Sequence, residues 1–160
     1  MATAAEAVRT YTADEIARFF LYLVSQDEDA GEVISNLRLQ KLVYYAQGFS
    51  LALRGQPLFV EPIEAWVHGP VVPALFHAYQ VYGRHDLPAP EHFDSADYDP
   101  ETRELLYDVY RTYGRYSAWA LRDLTREEPP FRQTPPGEII DLGAMRAYFR
   151  TQIDGDAAPV

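Results

Sequence analysis

Apolar residues recur at helical spacing over most of this chain. Ile16, Phe19, Phe20, Leu23 and Val24 mark one face of a first helix. Thr12 followed three residues later by Glu15 is a capping-box pattern, so the helix is predicted from Ala13 to about Gln26. Asp27 to Glu32 reads as an acidic loop. Ser35 caps a second predicted helix that runs to about Arg54, with Gly55 as its stop. Leu39, Leu42, Val43, Ala46, Phe49 and Leu53 form one stripe of it. Leu37, Tyr44, Tyr45, Gly48, Leu51 and Ala52 fill most of the remainder. A helix apolar on more than one face belongs at the centre of a domain. Gly48 inside it costs about 1 kcal/mol relative to alanine, which implies the close approach of another backbone.

The period then changes. Leu58–Val60 and Ile63–Val67 read as two short strands, separated by Glu61-Pro62. His68-Gly69-Pro70 reads as a breaker, and Pro73 opens a third helix ending near Gly83. Leu87 to Asp99 is rich in proline and aspartate and reads as a loop, the stretch expected to be most mobile. Asp99-Pro100 starts a helix that Gly114 stops. Ser117 caps another, from Ala118 to about Arg126. Pro129, Pro130, Pro135 and Pro136 mark a rigid loop, and Asp141 caps a final helix from Leu142 to about Gln152. The fold class predicted is mainly α: a compact single-domain bundle of about six helices with a small two- or three-stranded β element. Residues 1–11 are expected to be a flexible N-terminus, 12–153 the domain and 154–160 a disordered tail.

Composition narrows the chemistry. Twelve Tyr, eight Phe and two Trp supply a large core without staples. There is no cysteine, which excludes disulfides, thiolate metal sites and a cysteine nucleophile, and fits a cytoplasmic location. The net charge is −10, from 14 basic and 24 acidic residues. That sign repels phosphate backbones, so no nucleic-acid partner is expected, and it attracts basic proteins. No apolar run approaches the roughly 20 residues of a membrane span, and Met1-Ala-Thr-Ala-Ala is no signal peptide. Lys41 is the only lysine, against thirteen arginines.

Candidate chemistry is thin. Gly48-Phe49-Ser50-Leu51-Ala52 approximates a nucleophile elbow, but Ser50 falls inside a predicted helix rather than at a strand-to-helix turn. No histidine pair has zinc spacing, and Asp94, Asp97, Asp99 and Glu101 lack the glycine of a calcium loop, so no metal or other cofactor is expected. His68, between a strand and a helix, reads first as a structural turn residue; an enzymatic alternative would pair it with Glu64. Arg122 and Arg126, interleaved with Asp123, Glu127 and Glu128, read as an exposed face of mixed sign. Gln40, Lys41 and Gln47 are polar on an apolar helix. They either satisfy buried backbone near Gly69-Pro70 or mark a functional face.

One block carries a family resemblance. It runs from Leu37-Arg38-Leu39-Gln40-Lys41-Leu42-Val43-Tyr44-Tyr45-Ala46-Gln47-Gly48 through Pro57-Leu58-Phe59 and Glu64-Ala65-Trp66-Val67-His68-Gly69-Pro70-Val71-Val72-Pro73 to Tyr79-Gln80-Val81-Tyr82-Gly83. Its order resembles the Panacea domain, shared by antitoxins of toxin–antitoxin pairs and by phage-associated proteins. Tyr113-Gly114-Arg115-Tyr116-Ser117-Ala118-Trp119 resembles the family's second signature. Arg126 stands where the family commonly has His, and Phe131 where it commonly has Trp. The resemblance implies a non-enzymatic antitoxin that neutralises a cognate toxin, encoded by the adjacent gene, through direct protein contact. The partner-binding residues expected are Gln40, Lys41, Tyr44, Tyr45, Gln47, Trp66, His68, Gly69, Pro70, Val71 and Trp119. The alternatives are a stand-alone phage-associated protein, a small-molecule enzyme using His68, or a proteolytic adaptor.

Overall fold

The structure is a computed structural model that describes residues 9–27 and 34–157, with side chains as far as Ile153. The elements run α1 (Ala13–Gln26), α2 (Asn36–Arg54), β1 (Glu64–Trp66), β2 (Gly69–Val71), α3 (Pro73–Ala78), α4 (Pro100–Tyr113), α5 (Ala118–Glu127), α6 (Pro129–Arg132) and α7 (Leu142–Ala157). The mainly helical class with a small β element is as predicted. Most of the expected acidic loop, and residues 1–8 of the expected flexible start, lie outside the described residues.

Local chemistry sets the helix ends. The Thr12 hydroxyl accepts from the Glu15 amide while the Glu15 carboxylate accepts from the Thr12 amide, completing the capping box. Ser35, Asp99 and Ser117 each cap through a side-chain oxygen. Gly55 ends α2 with a φ of 69°, in the left-handed region that glycine enters without a Cβ penalty.

α2 is the axis of the domain and is buried along most of its length. α1, α4, α5 and α7 pack around it, α7 most extensively. From α1, Ile16, Phe19 and Phe20 are fully buried, each contributing about 1.5–3 kcal/mol relative to exposure. Gly48 admits α7. A Cβ there would lie 2.2 Å from Phe149 Cε2, so the close neighbour is an aromatic ring and not the backbone expected.

Three other expectations are corrected. Leu58–Val60 is not a strand: Phe59 makes a single parallel bridge with Tyr11. The supposed breaker Gly69-Pro70 forms β2, antiparallel to β1, with Trp66 opposite Gly69 and Ala65 opposite Pro70. Proline fits because the backbone of Ala65 bonds on its other side, to Glu138 O and from the Gly137 amide, so the missing Pro70 N–H leaves no gap. Pro129-Pro130 does not stay a loop but starts the short helix α6, since proline suits the first turn. Two boundaries also move. α3 ends at Ala78 and a 3₁₀ turn carries the chain to Tyr82; α7 continues to Ala157 rather than stopping near Gln152. Tyr11, expected in the flexible start, is buried; its hydroxyl donates to Asp99 Oδ2 at 2.7 Å. The loop expected to be mobile is tied to the body: the Leu87 amide donates to Ile34 O, and Phe93 packs between Phe19 and Tyr22.

Candidate protein-docking face

The polar residues of α2 face inward. Gln40 is fully buried; its Oε1 accepts from the Val72 amide at 2.9 Å and its Nε2 donates to Asn36 Oδ1. Gln47 donates to Phe59 O and accepts from the Leu58 amide. Lys41 donates from Nζ to Pro70 O at 3.1 Å. Each satisfies backbone that would otherwise be orphaned, which a buried polar group needs. They clamp the irregular segment around 58–59 and the end of β2 onto the central helix. Burial pushes the Lys41 ammonium down to about 7, and the nearby Arg122 charge adds to the fall. Gly69 lies over Lys41 with a φ of 110°, and a Cβ there would stand 2.9 Å from Thr125 Oγ1 and 3.0 Å from Lys41 Cε. Only glycine fits that position.

Tyr44 and Tyr45 are also internal. Their hydroxyls donate to Glu128 Oε1 at 3.1 Å and Oε2 at 2.7 Å, and Tyr45 stacks on Tyr113 with centroids 3.9 Å apart. Burial pushes the Glu128 carboxyl up to about 7 against the opposing pull of the two tyrosine hydrogen bonds. Both tyrosines are raised, mainly by burial. Glu128 corrects the reading of an exposed mixed-charge face: it closes α5, leads into α6 and pins both to α2.

Of the eleven expected contact residues, Gln40, Lys41, Tyr44, Tyr45, Gln47, Gly69, Pro70 and Val71 are therefore buried; they build the face from beneath. Three reach the surface. Trp66 is half-buried, donates from Nε1 to Glu64 Oε1 and meets Phe76 edge to face. His68, in the β1–β2 turn, is exposed and meets Trp119 edge to face at 5.4 Å. Trp119, on α5, is 56% exposed, with the Arg122 guanidinium 5.0 Å above its ring. Val67, at the same turn, is 74% exposed and was not anticipated. The signal for it was available: an apolar residue next to a Gly-Pro turn has little to pack against.

Other features have plainer roles. Ser50 lies within α2 and donates to Gln56 O. Glu64 holds Trp66 rather than His68. Among the described residues no group of three or more His, Cys, Asp or Glu could hold a metal ion. No helix among them is long and apolar enough to cross a membrane. A groove of about 340 Å³ between α2, α4 and α7 is lined by Phe49, Leu53, Leu105, Val109 and Ile153 among others.

A family model described as antitoxin SocA-like, Panacea domain, matches residues 39–131. That span opens within α2 and closes within α6, so it contains the whole β1–β2 turn, Trp119 and Glu128. Antitoxin SocA of Caulobacter vibrioides (strain NA1000 / CB15N) is 36% identical over 95 residues, covering 53% of this chain and 50% of that protein. The chain thus spans about half the length of the curated relative it matches. No solved structure matches it.

Proposed function

We propose that this chain, which belongs to the SocA-like Panacea antitoxin family, is an antitoxin that neutralises a cognate toxin by direct contact on the face formed by Val67, His68 and Trp119, flanked by Trp66. The observation that carries the docking site is the exposure of Val67 and Trp119 within the family-matched span. Large apolar side chains held rigidly at a surface are the usual anchors of a protein interface. The buried signature residues support the same reading, because they fix the turn and α5 in one geometry and reduce the ordering cost of binding. Neutralisation would follow from occlusion of the toxin's working surface. The proposed site of action is the cytoplasm. An enzymatic role for His68 is less well supported, since its ring lies against Trp119 and Glu64 is engaged by Trp66.

The test is co-expression with the product of the adjacent gene. Growth arrest by the neighbour alone, relieved by this chain in a co-purifying complex, is expected. Trp119→Ala is expected to lose the relief while Leu53→Ser, in the separate groove, keeps it. A harmless neighbour, or no complex, would refute the antitoxin reading. Loss on Leu53→Ser but not on Trp119→Ala would move the docking face to the groove.

A further inference from the structure

A cation covers the central ring of the docking face, although the chain as a whole is acidic. The molecule carries −10, yet the group over the Trp119 ring is the Arg122 guanidinium. Arg122 covers the ring, His68 meets its edge, and Lys41 lies enclosed beneath, close enough for Arg122 to act on its charge. The nearest carboxylate, Asp123, stands 3.7 Å from Arg122 Nη1 with its side chain 74% exposed, and such pairs are weak. The buried Nε of Arg122 has no hydrogen-bond partner. The guanidinium is therefore held by stacking on Trp119 and is under-supplied with acceptors, while its fork geometry suits a carboxylate.

We propose, building on the antitoxin reading above, that this face receives an acidic side chain of the toxin, its carboxylate against Arg122 and an adjoining apolar residue against Trp119 and Val67. A basic segment would meet the like charge of Arg122 here. The overall acidity of the chain acts at a distance, on the rate of encounter, while the local cationic spot selects what docks. The toxin's contact residue is thus an aspartate or glutamate beside a hydrophobe.

The sign of one charge reversal tests this. Affinity of the purified adjacent-gene product is measured for the wild type, Arg122→Glu and Trp119→Ala, each confirmed folded by far-UV circular dichroism. Arg122→Glu is expected to weaken binding by roughly 30-fold or more, the range for losing a desolvated charge pair. Trp119→Ala is expected to weaken it by about 30-fold. Replacing the responsible toxin acid by arginine should restore binding to Arg122→Glu. Unchanged or tighter binding by Arg122→Glu would overturn the proposal and indicate a basic contact. Should Arg122→Glu fail to fold, Arg122→Gln replaces it with the same expected direction and the same overturning result. Absence of any wild-type complex would remove the antitoxin reading itself, whereas tight wild-type binding indifferent to both variants would remove this site alone.

Discussion

Replacing Glu128 by glutamine should change the pH dependence of stability in a direction the burial of that carboxyl dictates. In the folded chain Glu128 accepts from Tyr44 and Tyr45 and is raised from 4.5 to about 7. Between those values the native state holds the proton and the unfolded state has released it. Stability is thus highest, for this group, below about pH 4.5 and is lost as pH rises through about 7. A rise of about 2.5 units at 1.36 kcal/mol per unit gives about 3 kcal/mol in all, of which about 2.5 kcal/mol falls between pH 5 and pH 8. Urea unfolding followed by tryptophan fluorescence, at half-unit steps across that interval, measures it. The stability difference between wild type and Glu128→Gln should shrink by about 2 kcal/mol or more from acid to alkaline ends. All other carboxylates are shared and cancel in the difference. A difference constant to within about 0.5 kcal/mol would show that the carboxyl is solvated as an ordinary glutamate, and the argument from burial would fail.

Two further outcomes follow from the packing of α2. Gly48→Ala drives a methyl into the Phe149 ring, so a net loss of about 1–2 kcal/mol is expected from overpacking offset by better helix propensity; Gly48→Ala with Phe149→Leu should recover part of it in thermal melts. Lys41→Met removes a group whose folded value, about 7, lies below its unfolded 10.5. The wild type therefore gains stability as pH rises between those values. Denaturant titrations should show it pulling ahead of Lys41→Met by about 3 kcal/mol between pH 7 and pH 9.5, and parallel profiles would refute the assignment.

The parts of the fold legible in the sequence are those whose cause is local. Thr12, Ser35, Asp99 and Ser117 announce their helices because a cap needs only its own next three residues. The β1–β2 register was hidden because Gly69-Pro70 reads as a breaker unless Lys41 and the backbone around Gly137 and Glu138 are already in place. α6 was missed for a similar reason: paired prolines stop one helix but suit the first turn of another. Of the residues expected at a contact surface, Trp66, His68 and Trp119 reach solvent, whereas the tyrosines and polar residues of α2 are buried. Periodicity cannot tell a buried polar group that is paired from an exposed one. Glu128 was misread because five charges in seven residues look solvated, and only the meeting of α5 with Tyr44 and Tyr45 removes it from water.

The enclosure of Lys41 reaches beyond the docking face. It is the chain's only lysine and is fully inaccessible, so the folded molecule offers no ε-amine to its surroundings. Acylation of that amine by a water-soluble reagent can proceed only through molecules in which the β1–β2 turn has lifted away, and its rate reports how often that happens. Cellular machinery that marks proteins on lysine faces the same barrier: it sees opened copies and passes over closed ones. If the proposed docking face is right, a partner seated on Val67, His68 and Trp119 would hold the turn down, so occupancy would lengthen the lifetime of this chain against any such marking without touching the marked residue.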